Sequence, residues 1–504
     1  MQTTPMRDSM PARFVWTVTA ITALAHLATA GRYDIFRNEL YFIVCGRHPA
    51  FGYVDQPPVV PLLAAATQGF GIHPWLLRLP AVVAATALIP LTASLAGLLG
   101  ARAAGIRLAC VAVALAPALI GLTTLLTTET FEPLAWTAVA YVLVRAVYQG
   151  DRRALVWAGV IAGLALEAKY GIVMWLVPLL AGLLLTAERR VLAWREAWIG
   201  LAACLLLAAP SLIWQAGSGW PFLAVVANHS PRNLTGGPVR FEIAQVLALN
   251  PLLAPLWLAA LVGPFVLERL RPVRFLALAF LGATLIDELT HGKDYYLFAA
   301  YPPMFALGAV TLERLRPALL TAWMTCAAAL TLLVLPVVLP VLAPAALAHY
   351  LERTHLRPRP DEVAAIGAPL TQVFSDELGW RALEHQVADV FHALSPAERG
   401  AAVILATNYG EAAAIDVYGR DDDLPPAATG QNQYFLWGPP ATAALIIHVN
   451  GDPERWRSRC RDVQVVARFG APFVMPYEND RPIFICREPR FSFEQAWPRF
   501  RRYD

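Results

Sequence analysis

Apolar residues in this chain run in long blocks instead of alternating with polar ones. A helix needs about 20 such residues to cross a bilayer, and about eleven blocks approach that length. They cover 14–30, 76–99, 107–126, 133–149, 154–168, 171–187, 197–214, 246–267, 274–290, 296–312 and 318–345. The pattern predicts a polytopic α-helical membrane protein. Near residue 346 it changes. "DELGWRALEHQVADVFHAL" keeps a helical period, while "AAVILAT", "ALIIHVN" and "RPIFICRE" read as short strands. The expected organisation is a membrane domain over 1–345, with a polar outer loop over 31–75, followed by a small α/β domain over 346–504.

Composition supports the membrane class: 57% of residues are hydrophobic and 15% charged, where soluble domains carry about 25% charged residues. Arginines set the orientation. Arg102 and Arg107, Arg152 and Arg153, Arg189, Arg190 and Arg195, Arg269, Arg271 and Arg274, and Arg314 and Arg316 fall in alternate loops. By the positive-inside rule these loops and the N-terminus are cytoplasmic. An odd number of spans then places 346–504 outside the cytoplasm, periplasmic in a bacterial inner membrane. The first block ends in Ala28-Thr29-Ala30, which mimics a signal-peptide cleavage site. We read it as an uncleaved helix, and cleavage would not invert the later spans. Cys460 and Cys486 both fall in the outer domain, where a bridge between them is chemically allowed and sequence leaves the pairing open.

Ionisable groups avoid the middles of the blocks and gather at one set of ends. They are Asp34, Glu39, His48 and Asp55; Glu129 and Glu132; Glu167 and Lys169; and Asp287, Glu288, His291, Lys293 and Asp294. An ion-coupled transporter would carry carboxylates near the bilayer midplane on broken helices, and that signature is missing. Of 40 Lys and Arg residues only Lys169 and Lys293 are lysines, in "AKYG" and "GKDYY". Two readings stay open for each: an interfacial anchor beside Tyr170, Tyr295 or Tyr296, or a point charge for a phosphate.

The stretch "FRNELYFIVCGRHPAFGYVDQPP" concentrates the polar chemistry of the first loop. A helix from about Tyr33 would align Asp34, Asn38 and Phe42 and turn Glu39 about 100° away. "DQPP" ends any helix and leaves Asp55 on a loop. Acids at a water boundary can take a proton from a hydroxyl, hold a metal, or stay solvated.

"YDIFRNELYFIVCGRHPAFGYVDQPPVVPLL" resembles the first outer loop of the GT-C glycosyltransferases of family 39, which include protein O-mannosyltransferases and the bacterial transferase that places aminoarabinose on lipid A. "TTETFEPLAWTAVAYVLVRA", "GLALEAKYG", "PSLIWQAGSGWPF" and "HGKDYYLFAAYPPMFALGAV" are similar to later landmarks of its bacterial branch, in the same order. The resemblance covers about residues 30 to 315, and "NYGEAAAID" and "GQNQYFLWGP" extend it loosely into the tail. It implies inverting transfer of a sugar from a polyprenyl-phosphate donor to a lipid, glycan or protein of the envelope. A first-loop acid would serve as base. Lys293, Lys169 or Arg78 would meet the leaving phosphate, and Tyr170, Tyr295, Tyr296 and His48 would line the substrate groove. No cofactor is required, a divalent metal is left open, and nucleic acid is not expected as a partner.

One position departs from the family, which usually reads Asp-Glu where this chain has Asn38-Glu39. An amide cannot take the proton. Glu39 or Asp55 could be the base; so could Glu129 or Glu132; or transfer has been lost and the chain only binds lipid-linked sugars. In the tail, "NQYFLWGP" reads either as an aromatic core strand or as a sugar-recognition surface. The run Asp421, Asp422 and Asp423 offers a metal site or a solvated turn, and we read it as the turn, because a hard-cation site needs more convergent oxygens than one run supplies.

Overall fold

The computed structural model describes residues 10–229, 237–360, 362–440 and 444–504. The chain divides into two compact units. One comprises Met1–Arg32, Trp75–Leu212 and Asn233–Val341; the other Tyr33–Pro74, Ile213–Arg232 and Leu342–Asp504. Most of the 31–75 loop therefore belongs to the same unit as the tail.

The first unit is helical. Among the described residues, four helices are long and apolar enough to cross a membrane: Leu79–Leu98, Arg195–Gly217, Asp294–Leu312 and Pro317–Val338. Two bent pairs, Tyr170–Leu184 with Ala187–Ala193 and Pro238–Ala248 with Pro251–Val266, raise the number to six. About eleven blocks were expected, and several are shorter in the fold than in the sequence. The block 107–126 shows why: Ala116, just before Pro117, leaves the helical region at φ −85° and ψ 105°, because the proline ring disfavours α geometry in the residue before it.

Close contacts hold these helices. A Cβ on Gly159 would lie 1.8 Å from the Gly200 carbonyl oxygen, so the two backbones meet where glycine alone fits. Trp136 and Trp175 stack with centroids 5.4 Å apart, and the Trp175 indole donates to the Trp136 carbonyl at 3.2 Å. Arginine-bearing loops converge on Glu313, which accepts from the Arg102 amide at 2.6 Å and pairs with Arg269 at 3.3 Å. Tyr148 donates to the Arg269 carbonyl at 2.6 Å. Tyr148 closes the helix Glu132–Gln149 that Glu132 begins. About 24 Å of helix thus separates the arginine end from the acidic end.

The second unit is built on a five-stranded sheet of order β2-β1-β3-β5-β4. Its strands are β1 (Ala402–Ala406), β2 (Ala427–Ala428), β3 (Leu445–Val449), β4 (Cys460–Phe469) and β5 (Arg481–Pro489). β2, β1 and β3 are parallel, and β5 runs antiparallel to β3 and β4. Cys460 and Cys486 form a disulfide between the last two strands. The three strand segments and the helix expected of the tail are present, the helix as Trp380–His392.

"NQYFLW" differs from the strand reading: Asn432–Trp437 is a short helix. Helical spacing brings Tyr434 and Trp437 together, edge to face at 4.7 Å. In the same unit the loop contributes the helix Arg37–Arg47, which starts later than the expected Tyr33 and leaves Asp34 before it, outside any element. Asp34 and Asn38 nevertheless reach a common neighbour, the helix Tyr409–Tyr418. Tyr418 donates to Asp34 at 3.0 Å, and Tyr409 donates to Asn38 at 2.8 Å.

Candidate functional site

Each unit gathers its own set of the residues singled out by sequence. In the second unit the set lies on and after the helix Arg37–Arg47. Glu39 is fully buried, and its carboxylate accepts from the Phe36 amide at 3.0 Å, closing the first turn of that helix. Asn38, one residue earlier, is half-buried, and its amide oxygen is the acceptor for Tyr409. Asp34 also accepts from Arg381 at 3.1 Å.

Asp55 is half-buried on the turn before Pro57. Its carboxylate accepts from the Tyr41 hydroxyl at 2.9 Å and from Asn432 at 3.3 Å. The Gln433 amide donates to the Tyr41 oxygen at 3.1 Å, so the tail segment Asn432–Gln433 closes over the loop acid. Tyr41 lies 4.8 Å from Tyr409 and 6.3 Å from Tyr434, centroid to centroid. Burial and the Asp55 charge hold the Tyr41 hydroxyl well above its ordinary range, so it stays protonated and donates. His48 is exposed, with its ring 4.7 Å from Trp437.

In the first unit the acidic ends of the helices assemble around a lysine. Lys169 lies 2.9 Å from Glu132 and 3.3 Å from Glu129, with its ammonium 4.8 Å from the centre of the Tyr296 ring. Burial pushes the Glu132 carboxyl up to about 7, more than Lys169 draws it down. For Glu129 burial pulls the same way, but Lys169 and hydrogen bonds, including those from Thr127 and Thr128, outweigh it and leave the carboxyl below its usual range. Burial works against the Lys169 charge, yet the two carboxylates hold the ammonium above the ordinary lysine value. One cation thus serves two acids of unlike character.

Gly171 permits this packing, since a Cβ there would come within 2.4 Å of a Glu132 oxygen. Lys293 is buried beside Tyr295, 5.7 Å from the ring centre, and Tyr295 meets Tyr296 edge to face at 4.8 Å. Arg78 is wholly buried and donates to the Ala30 carbonyl at 2.9 Å.

Sequence reasoning named Asp287 and Asp422 but missed the burial of the first and the partners of the second. Asp287 is fully buried with neither carboxylate oxygen hydrogen-bonded among the described residues, and the charges of Asp294, Lys169 and Glu132 act on it. In the tail, Glu384, His385 and Asp422 bring one ligand atom each within 4.8 Å of the others, the group among the described residues that could hold a metal. Neither has a signature in spacing: Glu384 and Asp422 come from different elements, and Asp287 looks like any helix-end acid.

Residues 55–214 match the family model described as dolichyl-phosphate-mannose-protein mannosyltransferase. No curated protein matches the chain in sequence. Among solved structures, the chain is similar to ArnT from Cupriavidus metallidurans in the apo state, at 14% identity and a TM-score of 0.63, covering 94% of this chain and 98% of that one. ArnT from the same organism bound to undecaprenyl phosphate is similar at 13% identity and a TM-score of 0.61, with the same coverage. The matched segment begins at Asp55 and includes Arg78, Glu129, Glu132 and Lys169. Fold and matched segment together bear out the resemblance to the GT-C glycosyltransferases of family 39.

Proposed function

We propose that this chain transfers a sugar from a polyprenyl-phosphate donor to a hydroxyl of an envelope acceptor, at the outer face of a bacterial inner membrane and with inversion. In that reaction the hydroxyl oxygen attacks the anomeric carbon while a carboxylate takes its proton. The bond from that carbon to the phosphate oxygen breaks, and polyprenyl phosphate leaves. The leaving group is already good, so the protein mainly positions the reactants, accepts one proton and offsets negative charge. A polyprenyl-phosphate partner is in keeping with the undecaprenyl phosphate bound by the similar ArnT structure.

Asp55 is the base in this reading. The observation that carries it is the contrast among the loop acids: Glu39 is buried against its own helix terminus, position 38 is an amide, and Asp55 holds a half-buried carboxylate oriented by Tyr41 and Asn432. Lys293, Lys169 and Arg78 are the cations proposed for the leaving phosphate, and Tyr170, Tyr295 and Tyr296 are proposed to line the donor. We place the N-terminus in the cytoplasm from the arginine loops, and the tail outside the cytoplasm from the odd number of apolar blocks.

The test is release of polyprenyl phosphate from a panel of radiolabelled polyprenyl-phosphate sugars by purified protein in detergent, with crude envelope as acceptor. Release that depends on both protein and envelope is expected. A panel spanning hexosyl and pentosyl donors that gives no release from any member would count against transfer.

A further inference from the structure

The sheet of the second unit carries a cavity lined by none of the residues proposed for transfer. From β1 the chain passes through the helix Tyr409–Tyr418 to β2 on one side. From β2 it passes through the helix Asn432–Trp437 to β3 on the other side of β1. The crevice between the carboxyl ends of β1 and β3 is therefore a topological switch point, the place where open parallel sheets bind ligands. A cavity of about 390 Å³ lies there, lined by Thr407 after β1, Gly430 after β2 and Asn450 after β3. Small-ligand sites begin near about 300 Å³.

Three arginines rim this cavity: Arg455, Arg459 and Arg502. Arg455 pairs with Asp452 and Arg502 with Asp504, each at 3.2 Å, and Arg502 also donates to the Thr407 carbonyl at 3.0 Å. Arg459 differs. Its guanidinium lies 5.6 Å from the centre of the Trp456 ring, and it has no ion pair among the described residues. His448 sits in the wall, stacked 4.8 Å from Phe484 and buried, and burial pushes its imidazole down to about 4, so it is neutral and adds no charge. Asp452 also lines the cavity and offsets Arg455, and Asp504 offsets Arg502, so the excess positive charge of the rim is that of Arg459. A guanidinium presents a planar fork that matches a carboxylate or a phosphate.

We infer that this switch-point cavity binds a sugar bearing a carboxylate or phosphate group, with Arg459 meeting the anion and the polar strand ends meeting the ring. The inference does not depend on which acid is the transfer base, nor on transfer itself. Isothermal titration of the purified full chain in detergent tests it, with glucuronate and glucose 1-phosphate as probes and glucose and inorganic phosphate as controls. Saturable binding of at least one anionic sugar is expected, at least tenfold tighter than either control. Which of the two binds identifies the anion.

Arg459→Gln should weaken that binding at least tenfold. Arg457→Gln should leave it unchanged, because Arg457 pairs with Glu454 and does not line the cavity. Arg455→Gln provides a second rim variant, and thermal melting confirms that each variant is folded. No saturation by either anionic sugar, inorganic phosphate binding as tightly as glucose 1-phosphate, or a folded Arg459→Gln protein that binds like wild type would each overturn the inference.

Discussion

Removing the Lys169 charge should destabilise the protein more than any exposed ion pair would. Lys169 sits 2.9 Å from Glu132 and 3.3 Å from Glu129, and these side chains are 18%, 7% and 20% exposed, so water screens them little. At an effective dielectric of about 20, each contact is worth roughly 5 kcal/mol before desolvation is subtracted. Desolvation of the ammonium offsets much of that sum. Breaking a buried pair by deleting one partner typically costs about 3–5 kcal/mol, because a charge is left buried alone. Lys169→Met is expected in that range at pH 8, by equilibrium unfolding in mixed micelles.

Acid should shrink the loss. The Glu132 carboxyl already titrates near 7 in the fold, against an ordinary value of 4.5, and deleting Lys169 raises it further. Below 7 the folded wild type and the folded variant both hold Glu132 protonated, so its share of the loss is small there and grows as pH rises through 7, where only the wild-type carboxyl ionises. Glu132→Gln placed in the Lys169→Met protein should recover at least about 2 kcal/mol by removing the unpaired charge. A Lys169→Met protein within about 1 kcal/mol of wild type at pH 8 would refute the reasoning. So would a double variant weaker than the single one.

Three further outcomes concern the second unit. The disulfide Cys460–Cys486 closes a separation of 26 residues, for which chain entropy gives about 3.5 kcal/mol. Replacing both cysteines by serine should lower the unfolding free energy by that order, and a change under about 1 kcal/mol would contradict it. Burial pushes the Asp416 carboxyl up to about 6 from 3.8. Stability should therefore fall by about 3 kcal/mol as pH rises from below 3.8 to above 6, the unfolded state ionising first. Asp416→Asn should remove that slope, and an unchanged pH profile would count against it. Glu39→Ala should cost about 1–2 kcal/mol by orphaning the Phe36 amide, while Glu39→Gln, which keeps an acceptor, should cost less. Equal melting of the two variants would show that the contact is not what Glu39 supplies.

Much of this arrangement was legible in sequence because it is written in local period and in solvent preference. Long apolar blocks, strand-like runs in the tail and polar block ends each follow from which surface must be buried. Lysine usage pointed to Lys169, and the acids that flank it in space were the ones grouped at the same block ends. What could not be read depends on partners far apart in the chain. Asn38 meets Tyr409 across 371 positions, and Asp55 meets Asn432 across 377. No periodicity encodes such pairings, so the loop 31–75 looked like a separate outer segment, although most of it packs with the tail. The helix at Asn432–Trp437 escaped for a related reason: six aromatic-rich residues are too short for period alone to separate helix from strand. Glu39 stands out in sequence because the family's Asp-Glu pair falls at Asn38-Glu39, and its burial against the Phe36 amide cannot be read there.

The most direct measurement of the transfer reading is polyprenyl-phosphate release by wild type, Asn38→Asp, Glu39→Gln and Asp55→Asn side by side, with folding of each confirmed by melting. With Asp55 as the base, wild type turns over and Asp55→Asn falls by about 10²–10⁴-fold, while Glu39→Gln loses stability more than rate. Full activity in a folded Asp55→Asn protein would contradict that assignment. Turnover absent from wild type but present in Asn38→Asp would make this chain a binder of lipid-linked sugars rather than a transferase.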